Sequence, residues 1–318
     1  MKVKALVIIS IISLFACKSM IKKTPQQVNY IPYFPVVYEC DSIYMAKDYK
    51  TVAKRLDSLF KFYKPKNTLQ EIDSYIKASY LSKQNMDYPK YFKLLVAEYG
   101  YQFNKDNTMG EDSLVNAIYI EKLNINKNYV HWREEYKAHS NPELAKTLKK
   151  MMLIDQKYRK IDNRDISKLD SIDHINEPKL INILNNGYPN RSVIPRDTLG
   201  YITSISSLLL HTKDSIRMAY FAPKVLTYVK TGDCSPSVYA GLIDQYYLYN
   251  GEKQIYNSYI SNRPLKDSSM TSKMRLKIGL PKSLTINHWV FYQKILQSDL
   301  PEKIKKRYLK NIKKSIIK

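Results

Sequence analysis

The 318-residue chain is short of the residues that build most recognisable chemistry: three cysteines, five histidines, eight glycines and two tryptophans. Cys17, Cys40 and Cys234 form no CxxC pair, so a zinc ribbon or dithiol redox motif is excluded. The two cysteines beyond Cys17 do not make a disulfide framework, and Cys40 and Cys234 are expected as free, buried thiols. There is no HExxH helix, glycine-rich phosphate loop or nucleophile elbow, which removes the common metalloprotease, nucleotide-binding and α/β-hydrolase signatures. His131, His139, His174 and His288 show no ligand spacing, so neither a metal nor a cofactor is expected. Apolar runs of bilayer-spanning length, about 20 residues, are also missing.

Arginine is the minority cation in a net charge of +23 that comes mostly from lysine. Base-reading proteins lean on arginine forks, and with no arginine cluster nucleic acid is not an expected partner. Two readings of the charge remain: lysines spread over solvated faces, or a basic module attracted to acidic glycans or lipid head groups. Apolar residues at 44% are enough to bury a sizeable core, and the length suggests two units.

The first residues carry an address. Lys2 and Lys4 precede an apolar run from 5 to 15, interrupted by Ser10 and Ser13, of signal-peptide length. It ends in Leu14-Phe15-Ala16-Cys17, which resembles the lipobox of bacterial lipoproteins. That resemblance implies cleavage after Ala16 and acylation at Cys17, a lipid anchor without a transmembrane helix. Phe15 is bulkier than the usual residue there. Loss of Lys2 and Lys4 with the signal lowers the charge to +21. Lys18 stands where an aspartate would argue for inner-membrane retention, so the outer membrane of a bacterial envelope is the expected destination.

An all-α fold is predicted, an irregular helical bundle in two packed units with a solenoid-like first unit. The expected boundaries are a signal peptide at 1–16, an extended tether at 17–40, an N-terminal helical unit at 41–139, a C-terminal helical domain at 141–290 and a basic amphipathic helix at 291–318. Pro32 and Pro35 argue for the extended path of the tether. From Ser42, the residues Met45, Tyr49, Val52, Leu56 and Tyr63 form one helical stripe ended by Pro65. Thr68-x-x-Glu71 is a capping-box pattern, Pro89 opens a helix that Gly100 stops, and 111–123 and 128–138 are further helices. In the second unit Asn141-Pro142-Glu143 starts a helix, and Asn176 before Pro178 starts another. A charged, flexible loop is expected at 190–197, then a central apolar helix ending at His211, and helices at 215–230 and 235–249. Along 301–318, Ile304, Tyr308, Ile312 and Ile316 lie one turn apart among lysines, a stripe that packs on the domain or on an anionic membrane.

Polar residues inside these apolar patterns mark the candidate site. Asp155 lies in line with the stripe of its helix, Arg159 is one turn on, and Gln156 can supply another hydrogen bond. His211 follows a run of leucines at a helix end, with Asp214 close by, and Asp244 sits among Ala240, Leu242 and Ile243. Gln254 and Tyr256 follow Gly251. The ordered set Asp155-Gln156-x-x-Arg159, Gly187-Tyr188-Pro189, Leu209-Leu210-His211, Tyr239-Ala240-x-Leu242-x-Asp244 and Gly251-x-x-Gln254-x-Tyr256 resembles an uncharacterised bacterial domain family, a domain of unknown function. Met274 to Pro281 is similar to its closing segment, and the resemblance covers about 141–288. Asn257-Ser258-Tyr259 departs from that family's Gly-Thr-Gln, and the resemblance implies no activity.

The expected function is a lipid-anchored envelope protein whose helical domain binds a protein or small ligand, with Arg159, Gln156, Asp214, Gln254 and Tyr256 as binding candidates. The alternative is a hydrolase with His211 as base and Asp155 or Asp244 as orienting acid. Catalysis requires those side chains to converge on one open pocket. A scaffold requires them to satisfy one another.

Overall fold

The computed structural model describes residues 28–104, 112–124, 127–159, 165–196, 204–259 and 265–282. Cys17, the signal segment and the basic helix expected at 301–318 lie outside them. The fold is all-α. Among the described residues the only extended pairing is an isolated bridge between Gln254 and Leu265. No described helix is long and apolar enough to cross a membrane.

Helix α1, Tyr33–Met45, occupies the stretch expected as an extended tether. Pro32 is its N-cap and Pro35 falls in its first turn, where a missing N–H removes no helical hydrogen bond. Tyr33, Phe34, Val37 and Cys40 are buried along it. The single helix expected from Ser42 to Tyr63 is also corrected. The chain breaks at Lys47 (φ 64°), and Asp48 caps α2, Tyr49–Phe62, by accepting from Thr51 N at 3.1 Å. Of the expected stripe, Val52 and Leu56 are buried on α2, together with Ala53 and Leu59.

Helix α3, Glu71–Leu81, starts at the predicted place without the predicted capping box. Gln70 is left-handed at its N-cap, and the fully buried Glu71 carboxylate accepts from Leu69 N (2.8 Å) and the Tyr33 hydroxyl (2.7 Å). Thr68 instead donates to the Gly232 carbonyl at 2.7 Å. Helix α4, Tyr88–Lys93, has Pro89 in its first turn and passes into a π turn, Leu94–Glu98. Helices α5 (Ser113–Lys122) and α6 (Lys127–His139) complete the first half, and α6 packs on the π turn.

Helix α7, Pro142–Arg159, is capped by Asn141, whose side chain accepts from Leu144 N at 2.9 Å. It pairs with α8, Ile166–Asn185. Here the start expected at Asn176 is corrected, because α8 begins after Asp165 and runs through Pro178. Pro178 and His174, one turn before it, are both exposed, so water can meet the carbonyl that loses its donor. The short helix α9, Ser206–Leu210, ends at His211 as its C-cap. A run of α10 (Asp214–Ile216), a π turn (Arg217–Phe221) and α11 (Ala222–Lys230) follows. Then come α12, Pro236–Tyr249, and α13, Ser268–Lys277.

One hydrophobic cluster extends from Tyr30 to Leu280 and crosses the expected unit boundary near residue 140. The segment 190–196, expected as a flexible loop, is built into that crossing. Asn190 accepts from Ser192 N at 2.9 Å, and Ile194 is fully buried. The Arg191 guanidinium lies 3.5 Å from the centre of the Tyr101 ring and donates to the Tyr99 carbonyl at 3.0 Å. Lys66 pairs with Asp233 at 2.9 Å across the same seam. Cys40 and Cys234 are free and buried, and burial pushes both thiols up to about 12, so they are protonated and inert at neutral pH.

Gly100 fixes how α6 docks. Its φ is 68°, and a Cβ there would lie 2.4 Å from the Tyr136 ring. Gly100→Ala is therefore expected to cost at least about 2 kcal/mol, from left-handed strain and displacement of that ring. Urea unfolding followed by helical circular dichroism measures it.

Candidate functional site

Asp155 on α7 is fully buried, and its carboxylate is the acceptor around which three side chains meet. Arg159 Nε donates at 2.9 Å, Gln156 Nε2 at 2.7 Å, and His211 Nδ1 lies 3.0 and 2.9 Å from its two oxygens. The i,i+4 spacing read from the sequence produces the arginine contact. The histidine arrives from the end of α9, which packs on α7. An ionised carboxylate can only accept, so Nδ1 carries the proton between them. The His211 side chain is 23% exposed. Among the described residues no hydroxyl or thiol is hydrogen-bonded to Nε2.

Asp173 on α8 was not visible as a site residue in the sequence. Its carboxylate pairs with Arg159 Nη2 at 2.6 Å, so one guanidinium holds two acids on two helices. Burial pushes the Asp155 carboxyl up, but the bonds from His211 and Arg159 outweigh it and hold the group below its ordinary range. For Asp173 burial prevails over Arg159, and the nearby Asp155 charge adds to it, so this carboxyl titrates above its ordinary value. Two acids on one arginine are thereby pushed apart.

Asp244 and Gln254 belong to a second cluster. Asp244, fully buried on α12, accepts at Oδ1 from Ile255 N (2.8 Å) and Tyr256 N (2.9 Å). Its Oδ2 accepts from the Ser258 N and Oγ, each at 2.8 Å. Gln254 closes the same turn by accepting from Tyr259 N at 2.9 Å, and the Tyr256 carbonyl takes a bond from Arg275 Nη1 at 2.6 Å. Asp244 is thus a clasp for the 254–259 segment, saturated by its own chain. None of its bonds goes to His211.

Asp214 enters a third group. It forms an ion pair with Arg217 and accepts from Asn250 at 3.1 Å. Arg217, buried in the π turn, also donates to the Leu210 carbonyl and to Gln245 Oε1, each at 2.6 Å. It therefore closes the carbonyl end of α9, next to His211. Burial holds this guanidinium below its ordinary value. Arg217 three residues after Asp214 was a usable helical signal. Gln245 was not, because nothing in spacing separates it from its apolar neighbours.

Two clefts lie elsewhere. One, of about 360 Å³ between α7 and α8, is lined by Met151, Ile154, Ile175 and Lys179 among others, and the other, of about 420 Å³, lies between α2, α4 and α6. Neither is lined by Asp155, His211 or Asp244. Among the described residues no group of histidine, cysteine and acid side chains has the arrangement of a metal site. The chain matches no family model, no curated protein and no solved structure.

Asp155→Asn should cost about 3 kcal/mol, since it leaves Arg159 and His211 facing a weakened acceptor. The depressed Asp155 carboxyl stabilises the fold above the ordinary carboxylate range and loses that contribution as pH falls through its folded value. Wild type should therefore lose stability below about pH 4 more steeply than Asp155→Asn in parallel denaturation series. Asp244→Ala should free the amides of Ile255, Tyr256 and Ser258, with hydrogen exchange there accelerated by about tenfold or more while α12 stays protected.

Proposed function

We propose that this chain is a lipid-anchored binding protein of a bacterial cell envelope, attached through Cys17, with a helical body that recognises its partner noncovalently. The observation that supports binding over catalysis is the saturation of Asp244: all of its bonds are made within its own turn, away from His211. Gln254 and Tyr256 support that turn instead of meeting a ligand. Asp155, Arg159 and Asp173 tie α7, α8 and α9 together, which is the work of a scaffold. The lipobox-like Leu14-Phe15-Ala16-Cys17 supports the anchor, and Lys18 the outer membrane. Partners under this reading are the membrane, through acylated Cys17, and a protein or small ligand.

The hydrolase reading keeps one observation in its favour. His211 has its Nδ1 fixed by a buried carboxylate and its outer edge reachable by solvent, which is how a general base is held.

In a bacterial host the full chain should sediment with membranes and carry a hydrophobic modification, and Cys17→Ala should release it to the soluble fraction. His211→Ala should lower the melting temperature by several degrees as a clasp is lost. Turnover of a p-nitrophenyl ester or phosphate that His211→Ala abolishes, with the melting temperature unchanged, would replace the binding reading with the hydrolase.

A further inference from the structure

The cleft between α2, α4 and α6 combines apolar walls with a cationic rim. Phe60, Leu94 and Ala97 contribute walls, and Phe62 stands at its edge with 81% of its surface exposed, unusual for a phenylalanine this close to a core. Phe60 is itself backed by Tyr75 and Tyr91, so that wall is rigid. Leu94, Ala97 and Glu98 come from the π turn, a wide turn that interrupts α4 here and that recurs at functional sites. The volume of about 420 Å³ falls in the range of small-molecule sites.

Four lysines line it against two glutamates. Lys64 pairs with Glu98 at 3.2 Å and Lys93 with Glu135 at 3.1 Å, both with more than half or half of the lysine side chain exposed. Lys61 reaches out of the cleft to Asp57 at 2.8 Å, in another exposed pair. The Lys90 ammonium lies 5.3 Å from the centre of the Tyr91 ring, and among the described residues it forms no ion pair with a carboxylate. Exposed pairs of this kind are weak, so an incoming anion can recruit these ammonium groups at little cost. No arginine lines the cleft, which argues against a fork-bound planar anion and for point contacts from lysine.

We infer that this cleft binds a soluble single-chain amphiphilic anion, an acyl or aryl group bearing one carboxylate or phosphate. The apolar part packs on Phe60, Phe62 and Leu94, and the head group is held by Lys64, Lys90 and Lys93. The inference rests on the binding-protein reading and fails separately from it.

The test uses the full chain carrying Cys17→Ser, which needs no detergent, titrated calorimetrically with dodecyl phosphate below its micellar concentration. Saturable one-to-one binding is expected, with dodecanol weaker by about tenfold or more. Phe62→Glu and the double variant Lys64→Glu/Lys93→Glu should each weaken dodecyl phosphate by about tenfold or more, both at exposed positions that leave helical content unchanged. Lys179→Glu, at the other cleft, should leave the affinity unchanged. The inference is overturned if binding is not saturable by about 1 mM, if dodecanol binds equally, or if Lys179→Glu weakens binding as much as the cleft variants. Recruitment to phosphatidylglycerol vesicles that Phe62→Glu abolishes, without any binding of dodecyl phosphate, would put a membrane surface there instead and also overturn it. None of these failures bears on retention through Cys17 or on the His211→Ala comparison, which test the binding-protein reading itself.

Discussion

A carboxylate shut away from water has to be met by donors, and the packing of the C-terminal helices follows from how Asp155 is met. Its donors come from its own helix, through Gln156 and Arg159, and from the end of α9, through His211. Arg159 then reaches Asp173 on α8. Removing any one donor leaves a charge in a low-dielectric setting, which costs more than the contact itself contributes. Three elements are therefore fixed relative to one another by one buried group. Apolar packing alone, which is non-directional, would not define that arrangement.

The same device recurs because the helices are short. A short helix has a large share of unpaired N–H and C=O groups at its ends, and buried ends must be satisfied by something. Glu71 accepts the Leu69 amide next to the start of α3, and Arg217 closes the carbonyl end of α9. Arg275 takes the Tyr256 and Pro281 carbonyls, and burial pulls its guanidinium down to about 10. Glu71 acts from two residues away, whereas Arg217 and Arg275 reach their carbonyls across six or more residues.

That is also why the sequence was legible only in part. Helical stripes, the Asn141 cap, the Gly100 stop and the Asp155–Arg159 pair depend on residues within four positions of each other, and spacing reports them. Asp173, Gln245 and Arg275 act over longer separations, where spacing is silent. Proline misled at both Pro35 and Pro178, for different reasons. Pro35, expected to forbid a helix, lies in an opening turn, and Pro178, expected in the first turn of a helix, lies on the exposed face inside one. Thr68 and Glu71 had the spacing of a capping box, but tertiary partners, Gly232 and Tyr33, took both side chains. The polar motifs of the second half include the buried Asp155, Asp244 and Gln254, and did not reveal that these sort into separate clusters.

Separation into clusters decides where recognition can occur. A polar group that already holds every bond it can make has nothing left for a ligand, and using it would first require breaking the fold around it. Asp244 is such a group. The lysines around the α2–α4–α6 cleft differ in kind, because their partners are solvated and their pairs are weak, so exchanging one anion for another leaves the helices undisturbed. Under the proposed binding reading, recognition belongs where charge is loosely held over an apolar wall, and structural specificity where charge is tightly held beneath one.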